Sequence, residues 1–111
     1  MTTLELLQRT RAAWPSLASA DAERKNALLL AMADSLQENC ADILAANAED
    51  MAAARGHISD VMLDRLRLDE GRIAAMADGI RSTVKLPDHT GRVLSEVVRP
   101  NGIVIDKVQV P

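Results

Sequence analysis

The side chains that could support catalysis or bind a metal are few and widely separated. His57 and His89 are the only histidines, and each lies in a predicted turn. A metal site would need them brought together with carboxylates, and no helical spacing does that. Cys40 falls on the apolar stripe of a predicted helix, whereas a nucleophilic cysteine needs an exposed, electropositive setting, so we expect a buried structural role. Lys85 and Lys107 have no neighbouring pattern that would activate an amine.

The acidic residues do not form an obvious catalytic pair either. They are scattered at predicted helix starts and on polar helix faces, where capping and solubility explain them better than acid–base chemistry. The sequence contains neither G-x-G-x-x-G nor G-x-x-x-x-G-K-[ST], the two glycine-rich phosphate-binding patterns. The residues alone therefore predict no catalytic, cofactor-binding or metal-binding site in this chain.

Length and composition predict one small domain with a modest core. The chain has 111 residues, which is enough for one domain at most. Hydrophobic residues make up 48% of it, but aromatic residues only 1%, and Trp14 is the single one. Alanine and aliphatic side chains must form the core, and small side chains bury little area each, at about 25 cal/mol per Å².

Charge and hydropathy exclude several classes of partner. The net charge is −3 and the pI is about 5.3, without the clustered basic face or the stacking aromatics of a nucleic-acid binder. No apolar run approaches the roughly 18 residues of a membrane span, and the polar N-terminus is not a signal peptide. Cys40 cannot form an internal disulfide, which is typical of a reducing cytoplasm.

The first part of the chain is predicted to be helical. A weakly amphipathic helix runs from Thr3 to Trp14, and Pro15 is expected to end or kink it. Ser19 is a plausible N-cap for the next helix. That helix has the clearest apolar stripe, with apolar residues at intervals of three or four: Leu29, Met32, Leu36, Cys40 and Ile43.

Short polar residues indicate where the later helices begin and end. Asn39 and Asn47 each stand three residues before an aspartate, and both resemble caps that restart the helix. The segment is expected to end near Arg55, with Gly56 as its C-cap, and the remaining cap candidates are Ser59 and Asp69.

The last predicted helix has its own apolar stripe and one glycine. The stripe consists of Ile73, Met76, Ala77, Ile80 and Val84. Gly79 costs about 1 kcal/mol relative to alanine, and it either permits a close helix contact or is neutral. The Leu86-Pro87 pair closes this helix.

The chain finishes with two predicted strands around a turn. Residues 93–98 and 103–110 are rich in β-branched side chains, and "PNG" separates them. A two-residue turn at Asn101-Gly102 would set Glu96 opposite Lys107, an attractive pair, but it would place Pro100 in the ladder without a donor. A three-residue loop favours Pro100 at the second turn position and sets Glu96 opposite Asp106 instead. The charge pair and the ladder hydrogen bond that Pro100 cannot donate each contribute about 1 kcal/mol. The three-residue loop is therefore only slightly favoured.

The predicted ribbon, residues 93–110, requires a partner. An isolated two-stranded hairpin is marginal in water, and this one has apolar side chains on both faces. The helices could cover one face, but the other face and the edges would remain templates for pairing. We therefore expect the ribbon to join a larger sheet, either within a longer polypeptide or with a second chain.

Three stretches together resemble one enzyme family. They are "ERKNALLLAMADSLQENCADILAANAEDMAAAR", "MLDRLRLDEGRIAAMADGIR" and "VLSEVVRPNGIVIDKVQVP". Their order and spacing are similar to the N-terminal segment of γ-glutamyl phosphate reductase, also called glutamate-5-semialdehyde dehydrogenase. The resemblance covers residues 21–111.

This resemblance implies the architecture and chemistry of the aldehyde dehydrogenase superfamily. Such enzymes have a Rossmann-like cofactor domain, a catalytic α/β domain and an oligomerisation ribbon. The implied reaction is NADPH-dependent reduction of γ-glutamyl phosphate to glutamate 5-semialdehyde in proline biosynthesis. An active-site cysteine forms a thioester, and the cofactor then supplies the hydride.

The chain departs from the family in its length. It stops where the cofactor-binding strands would begin, so no catalytic or cofactor-binding residue can be carried over, and Cys40 does not match the catalytic cysteine. We expect an N-terminal helical layer of an aldehyde-dehydrogenase-like α/β fold, mainly α with a C-terminal β-hairpin. Residues 1–91 would belong to the helical part of the cofactor-binding domain and residues 92–111 to the oligomerisation ribbon.

Two hypotheses about function follow. In the first, the chain is an inactive piece of a cytoplasmic, homo-oligomeric reductase, and the ribbon pairs with the rest of that enzyme or with a second chain. In the second, the chain is a small helical interaction module whose hairpin adds to a partner's sheet. Neither hypothesis involves nucleic acid or a membrane.

Overall fold

The computed structural model describes residues 1–111 and contains five helices followed by one antiparallel hairpin. The elements are α1 (Thr3–Ala18), α2 (Ala22–Glu38), α3 (Cys40–Ala54), α4 (Asp60–Leu66), α5 (Glu70–Val84), β1 (Val93–Val98) and β2 (Val104–Val108). This order confirms the predicted fold class, mainly α with a C-terminal hairpin. None of the helices combines the length and apolarity that a membrane crossing requires.

The chain forms two compact units. One comprises residues 1–25 and 87–111, and therefore contains α1, the start of α2 and the hairpin. The other comprises residues 26–86, and it holds the rest of α2 together with α3, α4 and α5. The buried apolar side chains lie in the second unit.

Helix α1 begins at a complete capping box and continues through its proline. The Glu5 backbone N–H donates to Thr2 Oγ1 at 3.3 Å, and the Thr2 N–H donates to Glu5 Oε2 at 2.7 Å. Pro15 lies inside the helix, so of the two expected outcomes, an end or a kink, the structure excludes the end. It sits in the last turn, where it removes only one donor, and its own carbonyl accepts the Ser19 N–H at 3.2 Å.

The connection from α1 to α2 is capped differently from the prediction. Ser19 is not the N-cap of α2, because it closes α1 by donating its hydroxyl to Pro15 O at 3.0 Å. Asp21 is the residue that caps α2, where its carboxylate accepts the Arg24 N–H at 2.8 Å. Both residues are short and polar, so the sequence does not show which of them caps the end of α1 and which caps the start of α2.

The long central helix is interrupted once rather than twice. Asn39 separates α2 from α3 as predicted, but its side chain donates back to Ser35 O at 2.8 Å instead of capping α3. Asn47 is not a cap at all, because α3 is continuous from Cys40 to Ala54. Its side chain is buried and bonded to another part of the chain.

Asn47 ties α3 to the connection between α4 and α5. Its amide donates to Leu66 O at 2.9 Å, and its carbonyl oxygen accepts the Leu68 N–H at 2.8 Å. Asn47 is only 8% exposed, and it is the only buried polar residue of the chain. It satisfies two backbone groups that the end of α4 leaves without helical partners.

The predicted caps of the shorter helices are confirmed. Ser59 Oγ accepts the Met62 N–H at 3.4 Å, and Asp69 Oδ1 accepts the Arg72 N–H at 2.8 Å. Gly56 follows the C-cap of α3 at φ +83°, a left-handed conformation that suits glycine.

Arg72 adds a second clamp on the α4–α5 connection. Its guanidinium donates to the carbonyl oxygens of Asp64 and Arg67, and it pairs with the Asp64 carboxylate at 3.2 Å. The hydrogen bond from Arg72 is the main cause that lowers the pKa of Asp64 below its usual value. The connection is therefore held from both sides, by Asn47 and by Arg72.

The core of the second unit is built from small side chains. Ala33, Ile73 and Ala77 are buried, whereas Met32 and Met76, which the stripes placed on the core side, are 48% and 42% exposed. Arg81 fastens α5 to α2 at the edge of this core, since it donates to Asp34 at 2.8 Å and to Gln37 at 2.7 Å. Alanine contacts bury little apolar area, so the hydrogen bonds of Arg81 add to the stability of a small core.

Replacement of Asn47 by alanine is expected to lower the free energy of unfolding by about 2 kcal/mol. The substitution leaves Leu66 O and the Leu68 N–H without partners in a part-buried site. Urea denaturation followed by circular dichroism measures the change. Asn47→Asp is expected to destabilise as well, because a carboxylate cannot donate to Leu66 O.

Asn39→Ala is the matched control for this substitution. The Asn39 side chain is exposed, so its loss is expected to cost less than about 0.5 kcal/mol. Equal losses of unfolding free energy in the two variants would contradict the stabilising role of the Asn47 hydrogen bonds to Leu66 and Leu68.

Replacement of Gly79 by alanine is expected to stabilise the chain by about 0.5–1 kcal/mol. A Cβ built at Gly79 meets nothing within 4 Å, so the close helix contact considered above is absent and the helix propensity of alanine decides the outcome. Thermal unfolding measures the gain. Gly56→Ala is the control and is expected to destabilise because of the positive φ, although its site is equally open. A loss of stability in Gly79→Ala would reveal a contact at that face.

Candidate functional site

The exposed β-ribbon is the candidate functional site of this chain. Its strands β1 and β2 pair only with each other, and every residue of both strands is exposed. Val98 is 63% exposed and Val104 54% on one face, and Val97 is 49% exposed and Ile105 54% on the other. Both faces of the ribbon are therefore exposed, and both outer edges keep unpaired backbone groups.

The turn of the ribbon is the three-residue loop that the sequence slightly favoured. The Gly102 N–H donates to Arg99 O at 2.9 Å, which closes a turn with Pro100 at its second position. Gly102 adopts φ +85°, and the Arg99 N–H donates to Ile103 O at 2.8 Å. A proline at this point therefore costs no ladder hydrogen bond.

This turn places two acidic side chains directly opposite each other. Glu96 pairs with Asp106, next to the Val97–Ile105 and Val98–Val104 pairs. Because Arg99 and Ile103 form a hydrogen-bonded pair, alternation makes Glu96–Asp106 a non-hydrogen-bonded pair, in which side chains approach more closely. Like charges opposite each other destabilise an isolated hairpin, by up to about 1 kcal/mol.

A β-bulge changes the pairing near the start of β1. Val93 pairs with Val108, but Ser95 pairs with Lys107, so β1 has one residue more than β2 at Leu94. The bulge brings Val93 to the same face as Glu96 and Val98. The sequence shows no clear signal for it, since Leu94 fits a regular strand equally well.

An ion pair anchors the open end of the ribbon. Lys25 Nζ lies 2.6 Å from Asp88 Oδ2 and 3.4 Å from Thr90 Oγ1, and the Lys25 and Asp88 side chains are each 24% exposed. The hydrogen bond from Lys25 and the backbone N–H of Thr90 lower the pKa of Asp88 from 3.8 to about 2. Sequence reasoning missed this pair, because the two residues are far apart in the chain.

Backbone hydrogen bonds extend the ribbon beyond its assigned strands. The Gly91 N–H donates to Gln109 O at 2.8 Å, and the Gln109 N–H donates to Arg92 O at 2.9 Å. The side-chain oxygen Oε1 of Gln109 is buried without a hydrogen-bond partner.

The residues considered for catalysis lie in different elements of the chain. His57 and His89 are in separate, exposed connections, and no group of three or more potential metal ligands occurs in the chain. Cys40 is half-buried rather than buried, because the break at Asn39 places it at the start of α3. Lys85 and Lys107 are both exposed, at the end of α5 and in β2.

Comparisons with known proteins point to one kind of enzyme. No protein-family model matches the sequence. The fold is similar to part of a reductase of solved structure: the crystal structure of γ-glutamyl phosphate reductase from Thermotoga maritima superposes with a TM-score of 0.90 at 34% identity, covering 97% of this chain and 26% of that one.

Curated relatives carry the same name. The γ-glutamyl phosphate reductases of Neisseria meningitidis serogroup C (strain 053442) and Neisseria gonorrhoeae are 52% and 53% identical over 108 residues, which is 97% of this chain and 26% of each relative. That of Streptococcus pneumoniae serotype 19F is 55% identical over 106 residues. These similarities confirm the resemblance predicted from the sequence. The chain spans about a quarter of the length of the relatives that it matches.

Asp88 is expected to make the stability of the chain depend on pH in the acid range. Because its folded pKa is lowered to about 2 from 3.8, its contribution is present above pH 3.8 and is lost as the pH falls toward 2. Melting temperatures of the natural chain and of Asp88→Asn, measured between pH 2 and 7, give the difference. This difference is expected to shrink as the pH falls through that window.

Lys25→Met removes the other half of the ion pair and serves as the matched variant. Its melting-temperature deficit should follow the same pH profile as that of Asp88→Asn, since both lose one interaction. A deficit that is constant from pH 2 to 7 in both variants would contradict the assignment.

Proposed function

We propose that this chain forms the N-terminal portion of a γ-glutamyl phosphate reductase. The parent enzyme reduces γ-glutamyl phosphate to glutamate 5-semialdehyde with NADPH, a step of proline biosynthesis. The observation that carries the proposal is the identity of 52–55% to three such reductases over nearly all of the chain. The superposition on the Thermotoga maritima reductase supports it.

The residues of this chain do not fit NADP. Dinucleotide phosphates bind where a glycine-rich loop joins a parallel strand to the N-terminus of a helix. Here the two strands are antiparallel to each other, and β1 leads into β2 rather than into a helix. We therefore place the cofactor site and the catalytic cysteine in parts of the parent enzyme outside residues 1–111, and we expect the chain alone to be inactive.

The role of this chain in the parent is structural. Residues 1–91 would supply helices of the cofactor-binding domain, and residues 92–111 would supply the ribbon associated with the oligomerisation sheet. The exposed strands support this, because the remainder of the enzyme or a second subunit could pair with their edges. We place the parent in the cytoplasm as a homo-oligomer, and the lone Cys40 is compatible with a reducing compartment.

The same exposed ribbon would also suit the interaction module considered as the second hypothesis. That hypothesis does not account for the identity to reductases in the helices, which extends over 97% of the chain. We therefore prefer the reductase and leave the module as an outcome of the experiment.

The experiment compares the 111-residue chain with the complete coding sequence that contains it. The complete product is expected to reduce NADP in the presence of glutamate 5-semialdehyde and phosphate, the reverse reaction, followed as absorbance of NADPH. The 111-residue chain is expected to show no turnover under the same conditions. Growth of a proline-requiring bacterial strain that carries the complete gene gives an independent readout.

Cys40→Ser in the complete product is the control. Because Cys40 lies at the start of α3 and is not assigned the catalytic role, this variant should keep the activity of the unmodified enzyme. Turnover by the 111-residue chain, or loss of activity in Cys40→Ser with an unchanged melting temperature, would contradict our placement of the active site. A coding sequence that stops at Pro111 would favour the interaction module.

A further inference from the structure

The turn of the ribbon contains the one asparagine that precedes a glycine. The chain has four asparagines, and the residues that follow them are Ala27, Cys40, Ala48 and Gly102. A glycine has no Cβ, so the backbone nitrogen of Gly102 is the least shielded of the four. Apart from its two neighbours in the chain, no heavy atom lies within 4 Å of a Cβ built at Gly102. The nitrogen that follows Asn101 is therefore open to approach by the Asn101 side chain.

Asparagine is a thermolabile residue, and at such a position it loses its side-chain amide without a catalyst. The Gly102 nitrogen attacks the side-chain carbonyl carbon Cγ of Asn101, and the new C–N bond closes a succinimide ring. The bond from Cγ to Nδ2 breaks, and the side-chain nitrogen leaves as ammonia with the proton that the Gly102 nitrogen gives up. Water then opens the ring at either carbonyl and leaves aspartate or isoaspartate, so no oxidant or reductant is required.

Two hydrogen bonds of the turn oppose this reaction. The Gly102 N–H donates to Arg99 O at 2.9 Å, and Asn101 Oδ1 accepts the Ile103 N–H at 3.2 Å. The Gly102 nitrogen has to give up its proton, so its hydrogen bond to Arg99 must break before the ring closes. The Asn101 side chain must also turn away from Ile103 to bring Cγ to that nitrogen. Pro100 restrains the same turn, because its ring fixes φ.

We propose that Asn101 is a site of spontaneous deamidation and that opening of the ribbon turn sets the rate of the reaction. The reacting atoms and the two hydrogen bonds that restrain them all lie within residues 99–103. The reaction therefore requires neither face of the ribbon to be free. This modification goes beyond the proposed function, which assigns no chemistry to the side chains of residues 1–111.

The two products change the turn in different ways. Aspartate keeps the path of the backbone and keeps a side-chain oxygen that accepts the Ile103 N–H. Isoaspartate carries the backbone through the former side chain, which lengthens the turn and displaces the Gly102 N–H from Arg99 O. The isoaspartate form is therefore expected to melt at a lower temperature than Asn101→Asp, which has the same charge.

Peptide mapping by mass spectrometry tests the proposal on the purified 111-residue chain. The chain is incubated at mildly alkaline pH, and the small mass increase from amide to acid is followed at each asparagine. Asn39 is the internal control, because it is exposed and its side chain is hydrogen-bonded, but Cys40 follows it. Asn101 is expected to deamidate at least about tenfold faster than Asn39, because only Gly102 lacks a Cβ beside the attacking nitrogen.

Two further measurements test the control of the rate by the turn. Pro100→Ala removes the restraint on φ and is expected to raise the rate at Asn101 roughly two- to fivefold. Unfolding in urea removes both hydrogen bonds and is expected to raise the rate at least about tenfold. Asn101→Gln is the control variant, because its longer side chain cannot close the succinimide ring, and its peptide should keep its mass.

Three results would overturn the proposal. They are an Asn101 that reacts no faster than Asn39, a rate that Pro100→Ala leaves unchanged, and equal rates at Asn101 in native buffer and in urea. Because the mass of a peptide is measured without any enzyme assay, these outcomes are independent of whether the parent is a reductase.

Discussion

The rest of this structure depends on one constraint: a two-stranded ribbon is stable only when another surface buries its apolar side chains and pairs its edges. A strand pair can satisfy only half of its backbone groups, and here the side chains on both faces are exposed as well. The chain holds the ribbon at its base through the Lys25–Asp88 ion pair. The part of the molecule with the most exposed apolar surface and unpaired backbone is therefore its candidate functional site.

In the unit of residues 26–86, stability is limited by composition, because few large apolar side chains are available for its core. With one aromatic residue in the chain, the core relies on alanine contacts around Ile73. Close packing of small residues leaves little apolar area to hold the connections between helices. Hydrogen bonds from Asn47 and Arg72 to backbone carbonyls supply that order, and they concentrate at the α4–α5 connection, where short helices leave backbone groups unpaired.

Much of the fold could be predicted from local patterns. The caps at Ser59 and Asp69, the left-handed Gly56 and the proline turn follow from residues that act on their immediate neighbours. The prediction of Asn47 as a cap rests on the aspartate three residues later and is wrong, because Asn47 lies four residues after Ile43, on the buried side of the same helix. That spacing could have identified it as a buried polar residue. The exposure of Met32 and Met76 could not be predicted, because periodicity shows which face is apolar but not how much of it is covered.

The candidate site was predictable in part for the same reason. The strands and the turn follow from the sequence, whereas the Lys25–Asp88 pair depends on residues that are distant in the chain. The bulge at Leu94 also escaped prediction, and it has a consequence for chain length. Since Val93 lies opposite Val108 and Ser95 lies opposite Lys107, deleting the extra residue Leu94 would restore a regular ladder and keep both pairs. The number of residues in this stretch is therefore less constrained than in the regular part of the hairpin, where a deletion would move side chains to the opposite face.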